Sequence, residues 1–288
     1  MERLKLDLRT FDVGAAAASP ADFAELVTSC VIESWNNGAD IVVFPEFTWM
    51  GLERFVSGPD KLAGVADLFW NDLWIGIRET LDRPDKAVVL GTVPFLESDG
   101  SLKNRAPILC EGRVFHQDKI HLTPWESAFT GGGPLRVWRF RGCKIAVVIC
   151  LDVEIPELSA ALRGSGLDLM LVPSATENML GVERVGRCAD ARAVELGCYV
   201  GVSHLVGRTE SELIDENIGQ LALFSPSQSP FQEINRRDGS DIFHDGFHCR
   251  SFGLDRDALA KTRALHGETD PSKVLPGAVI LSEYQISE

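Results

Sequence analysis

The chain lacks any apolar run long enough to span a membrane. Its first residues, Met1-Glu2-Arg3-Leu4-Lys5-Leu6-Asp7, mix charge with apolar side chains and never build the apolar core of a secretory signal. The expected compartment is the cytoplasm, with no membrane as a partner. No C-x-x-C pair occurs, and the 7 cysteines, at 30, 110, 143, 150, 188, 198 and 249, are odd in number and scattered. That argues against a disulfide framework and against a zinc site, and leaves each cysteine to be judged as a single thiol. Positive charge is short as well. Lys and Arg number 28 against 42 Asp and Glu, and the resulting net charge of −14 disfavours nucleic acid or an anionic membrane held by bulk attraction. No G-x-G-x-x-G follows a strand, so a dinucleotide fold has no support, and no G-x-S-x-G marks a serine nucleophile. Neither a metal nor an organic cofactor is expected.

What is present suits a globular protein. A 288-residue chain buries about three quarters of its unfolded surface as one unit, and no shift in composition divides it. A single domain over 1–288 is expected, with residues from about 266, interrupted by Pro271 and Pro276, as a C-terminal arm. Leu4, Leu6 and Leu8 alternate with charged residues, which predicts a strand with one wet face. Ser19-Pro20-Ala21-Asp22 then starts a helix that Gly38 stops. Ile41 to Phe44 is a second strand, and it runs straight into Glu46. Helical spacing covers Lys61 to Leu81, Ala87 to Leu90 is a strand, and turn signals between Gly91 and Ile120 predict antiparallel hairpins ahead of the Gly131-Gly132-Gly133-Pro134 loop.

The second half repeats the rhythm. After Lys144, Ile145 to Ile149 is an apolar run of the kind found in strands covered on both faces, and it delivers Cys150 to a strand-to-helix turn. Such a turn aims a side chain outward beside the free N–H groups of a helix start, which lower a thiol's pKa. A short helix follows from Pro156 to Arg163, then a strand from Leu169 that breaks at Pro173. A long helix carries Val182 to Leu196, strands start at Tyr199, Gln220 and Cys249, and Asp255 caps a last helix through about Leu265. Two such halves imply a layered α/β fold with helices outside the sheets.

Three segments then carry a resemblance. Phe44-Pro45-Glu46-Phe47, Asp118-Lys119-Ile120-His121-Leu122-Thr123-Pro124-Trp125-Glu126 and Val148-Ile149-Cys150-Leu151-Asp152 occur in this order and resemble the Glu, Lys and Cys segments of the nitrilase, or carbon-nitrogen hydrolase, superfamily. Asn104, Pro173-Ser174-Ala175 and Ala191-Arg192-Ala193-Val194-Glu195 resemble further family segments, so the likeness runs along nearly the whole chain. It implies a four-layer α-β-β-α sandwich whose copies pair through helices beside the active site, as a homodimer or larger homo-oligomer. In many members a glutamate at the place of Glu126 supports the site.

The chemistry asks for the same residue types. A thiol is mostly protonated at neutral pH, so a nucleophilic Cys150 needs a base, and a carboxylate at Glu46 can supply one. Attack on an amide carbonyl or a nitrile carbon pushes charge onto oxygen or nitrogen, where the Lys119 ammonium and the Leu151 main-chain N–H would meet it. Glu126, seven residues beyond Lys119 across a proline turn, can fold back towards the ammonium. Trp49 and Trp125, with Met50 and Phe129, are candidate walls of an apolar pocket, and Thr176 and Glu177 follow a strand that should end beside Cys150. His116 and His121 are set aside as bases because neither has a defined orienting acid, and His244 and His248 lack the rest of a metal set. Arg184, Arg187 and Arg192 are read as solvated or paired with Glu195.

The reading that follows is a thiol hydrolase of a small linear amide, forming acid and ammonia or amine through a thioester on Cys150. Nitrile hydrolysis, hydrolysis of a carbamoyl amide, acyl transfer to an amine and a non-catalytic scaffold of the same fold are the alternatives.

Overall fold

The computed structural model describes residues 3–264, so the expected arm from about 266 lies outside the described residues. Two mixed sheets face each other. The first runs in the order Cys249–Leu254, Leu4–Arg9, Ile41–Phe44, Ala87–Leu90, Leu102–Cys110, Val93–Leu96, with Arg113–Asp118 also on Leu102–Cys110. The second runs Arg237–Gly239, Leu221–Phe224, Tyr199–Arg208, Leu169–Ser174, Cys143–Val147, Val137–Phe140. The central strands of each sheet are parallel. Parallel strands collect their carboxyl ends on one side, which is where α/β sheets bind ligands.

Strand alternation explains why these runs are apolar throughout. Ile41, Val43, Ala87 and Val89 point between the sheets and share one core with Ile145, Val147, Leu169 and Leu171. Their neighbours Val42, Phe44, Val88 and Leu90 point the other way and pack with Phe23, Val27, Val31, Val65 and Phe69 of the covering helices. On the far side, Val185, Ala189 and Ala193 of the helix Met179–Leu196 close the second sheet. The result is helix, sheet, sheet, helix, as the α-β-β-α expectation has it.

Several local expectations need correction. The charged face of Leu4–Arg9 is not wet, since Asp7 and Arg9 are buried beneath the helix Pro20–Asn36. Arg9 donates to the Cys30 carbonyl and the Glu33 carboxylate, which makes its burial tolerable. The helix over Lys61–Leu81 contains a wide π segment at Leu68–Leu73 between α-helical Lys61–Asp67 and Trp74–Thr80. There Phe69, Trp70 and Trp74 pack with ring centroids 4.8 to 5.8 Å apart. Pro173 does not end its strand, which continues to Ser174. The Leu171 carbonyl accepts the Val148 N–H on the Cys143–Val147 side, and Pro173, two residues on, faces the same side past the last paired residue. Its missing N–H therefore costs no ladder bond. The strand Val137–Phe140 escapes the sequence pattern because its hairpin turns on Arg141-Gly142, with φ of +45° and +77°, a two-residue turn that more commonly uses Asn-Gly.

Gly91 closes the strand Ala87–Leu90 at φ +70°, and a Cβ there would lie 2.2 Å from the Pro45 carbonyl oxygen and 2.6 Å from Thr48 Oγ1. Gly91→Ala should destabilise the protein by roughly 1–3 kcal/mol in urea unfolding. Gly76, exposed and helical with open space around it, should do the opposite, Gly76→Ala adding roughly 0.5–1 kcal/mol. Equal midpoints for the two variants would contradict this account of Gly91.

Candidate active site

Glu46 lies two residues past Ile41–Phe44, and the backbone there is unusual. Phe47 takes φ +58°, its N–H donates to Thr92 Oγ1 at 2.8 Å, and Thr48 Oγ1 donates to the Pro45 carbonyl at 2.8 Å. These bonds hold the turn that points the carboxylate inward. Cys150 lies three residues past Cys143–Val147, opens a 3-10 turn through Glu154, and itself takes φ +44°. A non-glycine residue in the left-handed region carries strain of order 1–3 kcal/mol, and such strain gathers at functional sites.

Lys119 follows the strand Arg113–Asp118, and its N–H donates to the Asn104 carbonyl at 2.9 Å. Its ammonium sits between two carboxylates, 2.8 Å from Glu46 Oε1 and 2.7 Å from Glu126 Oε2. Asn104 Nδ2 donates to Glu46 Oε1 at 2.9 Å and to Glu126 Oε1 at 3.2 Å. Glu126 is fixed by a capping box in which Thr123 N–H and Oγ1 both donate to its Oε2. The group is dry, with Glu46 1%, Lys119 2%, Glu126 2% and Cys150 8% exposed.

Burial pushes the Glu46 carboxyl up to about 7, although the Lys119 ammonium and a hydrogen bond with the Cys150 thiol pull the other way. Burial also raises the Cys150 thiol well above its ordinary value, with the Glu46 charge adding to it and Lys119 opposing. This corrects the expectation that a helix start lowers it, because a single 3-10 turn does not offset loss of water and a neighbouring carboxylate. Burial works against the Lys119 charge, but Glu46, Cys150 and Glu126 outweigh it and hold the ammonium protonated. The thiol also lies 3.5 Å from the Ala175 carbonyl, just past the neighbouring strand Leu169–Ser174.

The structure thus brings Glu46, Lys119, Glu126 and Cys150 together, and Leu151 lies partly buried in the Cys150 turn. Other candidates fall elsewhere. Trp49 is fully buried in the layer between sheet and helices, its indole N–H on the Leu90 carbonyl at 2.8 Å and its ring 4.6 Å from Phe69, so it does not wall the site. The left-handed Phe47 turns the chain so that the next 3-10 segment, Thr48–Phe55, feeds Trp49 back into the core. Trp125, by contrast, is 78% exposed on the turn that carries Glu126. Thr176 gives its hydroxyl to the Ile218 carbonyl, Glu177 is exposed, and Asn178 caps the next helix.

Three residues have parts that sequence reasoning did not assign. Asn104 bridges the two glutamates, and Arg192 donates to the Val153 carbonyl at 3.0 Å beneath the Cys150 turn as well as to Glu195. Asp152 lies 3.0 Å from His121 Nδ1, so His121 does have an orienting acid. An acid two residues past a candidate nucleophile was the available signal. His248 stacks on Phe243 at 3.8 Å, and among the described residues no cluster has the makings of a metal site.

The family described as carbon-nitrogen hydrolase matches residues 15–233. "Probable hydrolase YhcX" of Bacillus subtilis is 30% identical over 224 residues, covering 76% of this chain and 43% of that one. An "(R)-stereoselective amidase" of a Pseudomonas species is 32% identical over 179 residues, covering 61% and 62%. The chain therefore spans less than two thirds of the length of either relative. In fold it is similar to a CN-hydrolase superfamily protein of Xanthomonas campestris, with a TM-score of 0.72 at 18% identity over 98% of this chain and 100% of that one. It is also similar to an amidase of a Nesterenkonia species, with a TM-score of 0.65 at 22% identity over 91% and 94%. With the match over residues 15–233, the chain belongs to the carbon-nitrogen hydrolase family.

Proposed function

We propose that the protein is an amidase that cleaves a small linear amide to acid and ammonia or amine through a thioester on Cys150. The observation that carries this reading is the buried Lys119 ammonium held by Glu46 and Glu126 beside the Cys150 thiol. Glu46 takes the thiol proton as sulfur attacks the carbonyl carbon. Lys119 and the Leu151 N–H stabilise the oxyanion. Glu46 returns its proton to the leaving amine, then activates water to release the acid and restore the thiol. Glu126 fixes the ammonium and takes no proton in this scheme.

Small substrates fit a site this enclosed, and amidases among the relatives favour an amide over a nitrile. We assign substrate contacts to Trp125, Leu151 and Glu177 around it. We read residues 1–288 as one domain, with support from the core shared by both sheets. The seven free thiols fit the reducing cytoplasm, and no helix among the described residues is long and apolar enough to cross a membrane. For assembly we propose a homodimer through the outer face of Met179–Leu196, where Leu180 is 69% exposed.

Mixing the protein with a panel of linear amides, nitriles and carbamoyl compounds should give ammonia release and an acyl adduct on Cys150 by intact mass, both lost in Cys150→Ala. No adduct and no ammonia across the panel would favour a non-catalytic scaffold. Lys119→Ala should slow acylation by roughly 10²–10³-fold, the usual cost of losing one oxyanion partner.

The pH profile tests the base. A carboxyl raised to about 7 is ionised above that value and protonated below it, so acylation should fall as pH drops through about 7. Glu46→Gln should lack the acylation burst at every pH, and a normal burst would assign the base elsewhere.

A further inference from the structure

Glu46, Asn104, Lys119 and Glu126 all belong to the first sheet and its loops, while Cys150 and Ala175 follow strands of the second. Something must set the distance between the ammonium and the sulfur. Asp152 lies two residues beyond Cys150 on the same 3-10 turn, which closes through Asp152 N–H to the Ile149 carbonyl at 3.0 Å and Ile155 N–H to the Asp152 carbonyl at 3.3 Å. Its carboxylate reaches across to the other half. Oδ2 accepts the Ile120 N–H at 3.0 Å, and Oδ1 accepts the His121 N–H at 2.7 Å with His121 Nδ1 at 3.0 Å from the same oxygen. Those are the two peptide groups that directly follow Lys119. We infer that Asp152 is a positioning residue, a latch whose carboxylate ties the Lys119 loop to the Cys150 turn and so sets the ammonium against the thiol.

The chemistry of the residue fits the task. Asp152 is 2% exposed, and a carboxylate is kept in a dry place only where donors satisfy it. Burial raises its pKa, and the Ile120 and His121 donors oppose that rise. Two acceptor oxygens grip consecutive N–H groups at once. An amide side chain has one such oxygen, and its NH₂ would face a peptide N–H. Asn at this position must release either Ile120 or His121, with little change in volume. Bidentate grip on adjacent backbone groups also fixes direction, which a single contact to a flexible side chain does not. The inference rests on the amidase reading for its catalytic consequence, but the geometry it asserts does not.

The test separates the two. Cys150 alkylation by iodoacetamide, followed across pH by peptide mass, reads the setting of Lys119 against the thiol without any substrate turnover. Asp152→Asn should slow it roughly tenfold at neutral pH and shift its profile upward towards that of Lys119→Met, because a displaced ammonium no longer favours the thiolate. With an amide that the wild type turns over, kcat should fall roughly 100-fold with little change in KM, the scale of loss from a misplaced catalytic group. Wild-type alkylation and kcat in a variant that merely melts earlier would reduce Asp152 to a structural residue and overturn the inference. If no amide is turned over but the alkylation profile shifts, the amidase reading fails and the latch stands. Should Asp152→Asn not fold, hydrogen exchange in the unaltered protein decides. The amides of Ile120 and His121 should be protected like those of Cys143–Val147, and exchange as fast as in the 131–134 loop would overturn the latch.

Discussion

A lysine ammonium at 2% exposure is the constraint on which the arrangement of the site depends. An unpaired charge in a dry interior costs several kcal/mol, so Lys119 is tolerable only with acceptors already in place. Glu46 and Glu126 supply them, but two carboxylates around one ammonium leave a surplus negative charge. Asn104 meets part of that surplus by donating to both, and Thr123 meets more by donating twice to Glu126. Each contact comes from a different part of the first half. The carboxyl ends of parallel strands, a hairpin strand and a proline turn must all arrive together for the ammonium to be buried at all.

Strain is the second consequence. Phe47 and Cys150, one beside the proposed base and one the proposed nucleophile, both take left-handed backbone that residues with a Cβ avoid. The surrounding bonds hold these angles, with Thr92 and Thr48 on one side and Arg192, Asp152 and the Ala175 carbonyl on the other. A strand that simply ran on would point its next side chain up or down the sheet face. The turn swings it off the strand end, into the space where the two sheets' carboxyl ends meet.

Much of this was legible because strand ends are written in the sequence as apolar runs that stop at a polar residue. Ile41 to Glu46 and Ile145 to Cys150 are two such runs, and their likeness to each other and to a known family pointed to the candidate site and to the sandwich. What the pattern did not carry were contacts between segments distant in the chain. Alternation cannot say that Asp7 and Arg9 lie under a helix, because that depends on Glu33 and the Cys30 carbonyl arriving to pair with Arg9. Nor can it separate Trp49 from Trp125, since both adjoin a site glutamate and only the backbone turn at Phe47 decides which enters the core. Asp152 stood in plain view two residues past Cys150, but its partners did not, as its donors are 31 and 32 residues away.

The raised thiol bears on how such a site operates at all. A cysteine held as a stable thiolate would add a second surplus negative charge beside Glu46 and Glu126, in a place where charge is expensive. A raised thiol avoids this, since in the proposed mechanism sulfur stays protonated until the proton has somewhere to go. In the proposed cycle, when Glu46 takes it, a carboxylate becomes neutral as the thiol becomes charged, so the buried charge would move without increasing. Attack would then pass the same charge to the substrate oxygen, and collapse to the proposed thioester would pass it on with the proton returned to the leaving amine. In each of these states there is one mobile negative charge near one fixed ammonium, with Glu126 as that ammonium's constant partner. A base raised to about 7 suits this cycle, because it gives up and regains a proton at little cost near neutral pH. The lysine need never change its own protonation, and the pairing that makes its burial tolerable is what would fit it to every step of the proposed mechanism.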